Sequence, residues 1–233
     1  MRIPFDEKEA IRYFGARAGD QQAALLVNRA FLFLRNELQP RSVRQHWRCR
    51  VTQGCGTAKG TVELENGTVF HSSTLARHLK GCSELLLFGA TLGSRFDTAL
   101  RQLSYRSIAE GAAAQAVGAA LIESYCDEQE KIWKRDYPDT VTYRPRFSPG
   151  YGDWDLSEQE AVFRVLNCAK AIGLTLTEGG LMAPIKSVTA VIGMDTGKDP
   201  DEAAKNEEES GEISRNAQCA LCGASNCPFR REG

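Results

Sequence analysis

From Asp6 to Glu37 the apolar residues Ile11, Phe14, Ala18, Leu25, Leu26, Phe31, Phe33 and Leu34 recur near helical spacing, interrupted at Gly15 and Gly19. This spacing predicts two helices closed by Pro40. Residues 43 to 71 change texture: Val43, Trp47, Val51, Thr61, Val62, Leu64, Val69 and Phe70 are placed as in short strands, and Asn66-Gly67 is a hairpin dipeptide that tolerates positive φ. Ser73 to Lys80 carries Leu75 and Leu79 four apart and runs into Gly81, the pattern of a helix with a glycine stop. The stretch Glu84 to Ala90 is apolar without alternation, as in a strand buried on both faces. It empties into Thr91-Leu92-Gly93-Ser94, which reads either as a tight strand-to-helix turn or as helix-start amides open to a negative group.

Residues 104 to 134 form the longest helical tract. Gly111, Ala112, Ala113, Ala114, Ala116, Gly118, Ala119 and Ala120 leave little side chain along it, so another element can approach its backbone closely. Glu123 follows this small face and points either into a cleft or to solvent. Val141 to Tyr143 reads as a strand, and the prolines and glycines between Pro145 and Gly152 make a rigid loop after it. Ser157 and Glu160 have the spacing of a capping box, opening a helix with Val162, Val165, Leu166, Ala169 and Ile172 as its buried stripe and Gly173 as its end. Leu174 to Glu178 and Lys186 to Gly193 read as strands around the turn Gly179 to Pro184. Helical and strand segments together predict an α/β (α+β) protein of mixed topology.

Composition narrows the partners. The 233 residues are 42% hydrophobic and 25% charged, and Lys+Arg 29 nearly cancels Asp+Glu 30, so there is no overall field to hold a nucleic acid or an anionic membrane. MRIPFDEKEA lacks the basic and apolar run of a signal peptide, and no stretch approaches the ~20 apolar residues of a membrane span, which leads us to expect a cytoplasmic protein. Cys49, Cys55, Cys82, Cys126 and Cys168 are scattered as reduced thiols. His46, His71 and His78 are too dispersed to form a site and are each read as a surface or interface residue. From 195 to 212 the chain is acidic and nearly without large apolar residues, the composition of a flexible linker. Beyond it Cys219-x-x-Cys222 is a metal corner that Cys227 is close enough to join, with a fourth ligand needed for zinc or an iron-sulfur cluster; redox-active or simply reduced thiols are the alternative.

The loop carries the candidate binding chemistry. Arg146 is set among prolines with Tyr151 five residues on, so a guanidinium fork suited to a carboxylate and an aromatic face suited to a cation or an adenine could meet one small ligand. The plain alternative is an Arg paired to a surface acid beside a turn Tyr. The order Arg146-Phe-Ser-Pro-Gly-Tyr151-Gly-Asp153, the helix end Asn167 to Gly173, then Leu174-Thr-Leu-Thr-Glu178, Pro184 and Lys186-Ser187-Val188 closely resembles the activation domain of cobalamin-dependent methionine synthase, in particular its free-standing bacterial version. The resemblance is densest from Arg146 to Gly193, and Gly81-Cys82 and Ala90 to Gly93 add to it.

That resemblance implies a largely antiparallel twisted sheet flanked by helices. It also implies a chain that binds S-adenosylmethionine and helps reactivate a corrinoid methyltransferase. In the family, an electron from a flavodoxin-like donor and the methyl group of S-adenosylmethionine restore methylcobalamin from cob(II)alamin held by a partner. Arg146 falls at the methionyl carboxylate, Ser148 contributes its backbone, Gly150 and Tyr151 lie beside the ligand, and Glu123 falls near a family acid. No residue of this chain is assigned a catalytic acid or base. The fused members continue from Gly-Tyr into P-A-C-P-D, where this chain has Gly152-Asp153-Trp154-Asp155, and a ligand-contacting Tyr of their C-terminal segment has no equivalent after Met194. The expected organisation is an activation-like fold over 1–194 (helical and hairpin portion 1–82, ligand portion 83–194), the linker 195–212 and the Cys-rich tail 213–233. Alternatives are an activator of another corrinoid methyltransferase, with an iron-sulfur cluster on the tail, and a docking module that does not use S-adenosylmethionine.

Overall fold

The structure, a computed structural model, describes residues 3–17 and 19–197. The Cys219, Cys222 and Cys227 cluster and nearly all of the acidic stretch lie outside the described residues. The chain divides into two compact units that draw on interleaved segments: one from Met1–Val43, Gly89–Asp136 and Asn167–Val188, the other from Arg44–Phe88, Tyr137–Leu166 and Thr189–Gly233.

The first unit is mainly helical. Helix α1 (Glu7–Phe14) starts where the Asp6 carboxylate accepts the Glu9 N–H at 3.0 Å and stops at Gly15, whose φ of 81° lets it turn back onto the last carbonyls. Asp20 caps α2 (Gln21–Leu34) by accepting the Gln22 and Ala23 N–H groups. Both helices pack on α5 (Ile108–Lys134), as does α4 (Ser94–Arg106). The long tract expected from residue 104 is therefore two helices, because Ser107 takes extended φ/ψ and its hydroxyl caps the Glu110 N–H. The small face of α5 has the use its composition implied: a Cβ on Gly111 would lie 2.9 Å from Ser104 Cα, and one on Gly118 3.0 Å from the Phe96 ring. α4 thus sits against backbone that a larger residue would push away.

The second unit holds most of a six-stranded sheet. Its strands are β1 (Arg41–Thr52), β2 (Thr61–Leu64), β3 (Val69–His71), β4 (Glu84–Thr91), β5 (Thr142–Tyr143) and β8 (Ser187–Asp195), in the order β3-β2-β1-β4-β8-β5. β1/β2, β2/β3 and β5/β8 are antiparallel, and the two short strands β6 (Thr175–Leu176) and β7 (Met182–Ala183) of the first unit also pair antiparallel. Asn66-Gly67 makes the expected hairpin, with Gly67 at φ 84°. Leu85 to Phe88 in β4 are fully buried, as the unbroken apolar run required. Helix α3 (Ser73–His78) ends before Gly81, and among the described residues no helix is long and apolar enough to cross a membrane.

Three expectations need correction. The helix after the loop opens not at a Ser157/Glu160 box but with a turn of 3-10 helix over Leu156–Glu158, whose start is capped by Asp155 accepting the Ser157 N–H at 2.8 Å. A carboxylate two residues upstream reaches that donor first. The helix is also split, into α6 (Gln159–Leu166) and α7 (Cys168–Ile172), by Asn167 at φ 50°. That one left-handed residue resets the phase, so Cys168 is buried in place of Ala169. His78, expected at a surface or interface, is only 5% exposed.

Burial also fixes the thiols. It pushes Cys82 up to about 11, against the opposing pull of Arg144, and Cys168 up to about 12. In the native chain at pH 8, Cys82 and Cys168 are therefore expected to resist iodoacetamide while the exposed Cys55 is alkylated, as read by peptide mass spectrometry. Alkylation of Cys82 at the rate of Cys55 would contradict this packing.

Candidate functional site

The loop that carries Arg146 begins beside β8. β5 pairs Thr142 with Asp195 and Tyr143 with Met194, the Arg144 N–H donates to the Gly193 carbonyl at 2.9 Å, and Phe147 and Val191 exchange both backbone hydrogen bonds at 3.0 and 2.8 Å. Between Tyr143↔Met194 and Phe147↔Val191 the loop side advances four residues while β8 advances three. The extra residue is a bulge around Pro145-Arg146, a place where a ring without an N–H is tolerated and a neighbouring side chain is re-aimed.

Two turns come next. In Ser148-Pro149-Gly150-Tyr151 the Tyr151 N–H returns to the Ser148 carbonyl at 3.2 Å and Gly150 has φ 92°, which is the residue order of a type II turn. The Trp154 N–H then returns to the Tyr151 carbonyl at 3.0 Å, with Gly152 at φ 57°, and the Gly150 N–H donates to the Trp154 carbonyl at 2.8 Å. Proline cannot take a positive φ, so the Gly152 position excludes it.

Aromatic packing supports the loop from beneath. Trp154 is 1% exposed, its indole N–H donates to Glu158 Oε2 at 2.9 Å, and its ring meets Phe70 edge-on at 5.3 Å and Phe147 nearly parallel at 6.2 Å. Phe147 also packs on the His78 ring at 4.9 Å and the Tyr151 ring at 6.1 Å. Arg146 and Ser148 are half-buried, Gly150 is exposed, and Tyr151 keeps 49% of its surface open, enough to offer a ring face to a ligand.

The loop's exit is pinned by Asp153, a residue to which motif and spacing assign no role. It accepts the Ser72 hydroxyl and the Thr74 N–H through Oδ1 and the Ser73 N–H through Oδ2, the last two at 2.8 and 2.9 Å. Burial works against its charge, but these donors outweigh burial and hold the carboxyl well below the usual range. At the entrance, burial pushes His78 toward the neutral imidazole, and its Nε2–H donates to the Pro145 carbonyl at 2.8 Å.

The structure thus gathers Arg146, Ser148, Gly150 and Tyr151 on one braced loop of the second unit. Glu123 lies on α5 in the first unit, half-buried. Among the described residues no group of three or more His, Cys, Asp or Glu side chains forms a metal site.

Residues 109–199 match the family model described as vitamin B12 dependent methionine synthase, activation domain. The match spans 91 of the 233 residues and is a similarity of that segment. The matched residues include α5, the whole loop and β8. The crystal structure of the MetH reactivation domain bound to AdoHcy matches 81% of this chain and 70% of its own, with a TM-score of 0.54 and 16% identity, a likeness of fold. The mixed helices and largely antiparallel sheet implied by the resemblance are present. No curated protein matches the chain.

Proposed function

We propose that this chain binds S-adenosylmethionine on the Arg146–Tyr151 loop and serves, in the cytoplasm and in trans, the reductive reactivation of a cobalamin-dependent methionine synthase. The observation that carries the reading is that the activation-domain match spans a loop fixed by a bulge, two glycine turns and buried aromatic packing. The ligand's chemistry fits the residues. Its α-carboxylate suits the half-buried Arg146 fork, and its sulfonium or adenine suits the open Tyr151 ring. Ser148 and Gly150 offer backbone groups between the two.

The bound sulfonium supplies the methyl group. This chain's residues orient it and keep water from the reacting centre, so none is assigned as general acid or base. Cobalamin is carried by the partner, and a flavodoxin-like protein supplies the electron. Calorimetric titration of S-adenosylmethionine into the purified chain and into Arg146→Ala tests the site, with saturable binding expected for the first and not the second.

The Cys219, Cys222 and Cys227 tail, joined through the 195–212 linker to the 1–194 fold, is assigned a zinc or iron-sulfur role, since three thiolates within nine residues make most of a coordination shell. Anaerobically purified chain is expected to carry metal by elemental analysis and to lose it in Cys222→Ser. Equal metal content in both would remove the assignment.

A further inference from the structure

Helix α3 meets both ends of the candidate loop. At the entrance His78, the last residue of α3, donates to the Pro145 carbonyl at the bulge. At the exit Asp153 takes the Ser72 hydroxyl and the first two N–H groups of α3, Ser73 and Thr74. Gly152 lies so close to the same turn that a Cβ there would sit 2.7 Å from Thr74 Cγ2. Every residue assigned to the ligand on this loop falls between these two attachments. We infer that α3 is a splint for the ligand loop, and that Asp153 and His78 are positioning residues that set Arg146 and Tyr151 for S-adenosylmethionine without touching it.

The inference rests on the reading of the Arg146–Tyr151 loop as the ligand site. Its physical basis is preorganisation: a loop held at both ends in the free chain loses less conformational freedom on binding.

The test compares wild type, Asp153→Asn, His78→Phe and Asp20→Ala by calorimetric titration with S-adenosylmethionine, thermal unfolding, and tryptic cleavage of the Arg146-Phe147 bond in the ligand-free chain. Asparagine puts an N–H₂ against N–H donors; phenylalanine keeps the ring contact with Phe147 but removes the bond to Pro145. Asp20→Ala removes the carboxylate that caps α2 in the first unit and controls for lost stability alone.

Asp153→Asn is expected to weaken binding about ten- to hundredfold, and His78→Phe by less, both with faster cleavage after Arg146. Asp20→Ala should unfold earlier yet bind as wild type. Wild-type affinity and unchanged cleavage in Asp153→Asn and His78→Phe would overturn the inference, as would affinity that simply follows stability across all three variants. Should Asp153→Asn fail to fold, His78→Phe carries the comparison. If wild type itself binds no S-adenosylmethionine, the ligand reading fails and the positioning role with it, whereas faster cleavage in the variants would still show α3 holding the loop.

Discussion

Arg146→Ala is expected to abolish measurable S-adenosylmethionine binding and to leave the fold standing. The residue is half-buried on a bulged segment between two points of backbone pairing with β8. A fork–carboxylate pair in such a setting is geometrically specific. Truncating one partner of a desolvated charge pair costs about 2–5 kcal/mol of binding. That is roughly a 30-fold loss at the least. Thermal unfolding should move little, because the residue is not part of the aromatic floor. Calorimetry with a melting curve on the same sample checks both halves, and wild-type affinity in the variant would place the carboxylate elsewhere.

Trp154→Ala is expected to have the largest effect on stability. The side chain is 1% exposed, joins Phe70 and Phe147 in one ring cluster, and donates its indole N–H to Glu158. Emptying such a site costs about 3–5 kcal/mol, from lost burial and from the cavity left behind. For a chain of this size each kcal/mol lowers the melting temperature by roughly 2–4 °C. Trp154→Phe should recover part of the loss, since it restores one ring but leaves the rest of the indole's volume empty and forgoes the hydrogen bond. Circular dichroism melts of the two variants give the ordering; equal melting of Trp154→Ala and wild type would mean that this cluster does not support the loop.

Much of the scaffold was legible because its signals are local. Gly15 breaks the first helical stretch as expected, Gly67 and Gly81 take the positive φ their positions suggested, and the apolar run of β4 is the buried strand it reads as. The errors were local competitions decided by one atom: Asp155 reached the Ser157 N–H, and Asn167 stepped into the left-handed region and shifted the buried stripe from Ala169 to Cys168.

The residues of the loop were visible as motif, but their fixation was not. Asp153 meets donors 79 to 81 residues away, and His78 reaches a carbonyl 67 residues on. Nothing in periodicity or spacing encodes a contact of that separation, and an isolated histidine in sequence carries no sign of its own burial. Only the folded chain shows that the short helix ending before Gly81 grips the loop read as site.

The reactivation assay tests the central claim most directly. A cobalamin-binding methionine synthase core trapped as cob(II)alamin is mixed with the full chain, S-adenosylmethionine and a reduced flavodoxin-like donor, and the visible spectrum is followed. The account predicts conversion to methylcobalamin that requires both the chain and S-adenosylmethionine and is lost with Arg146→Ala. Cob(II)alamin that persists with wild-type chain under the same conditions, or converts equally well without it, would contradict the account.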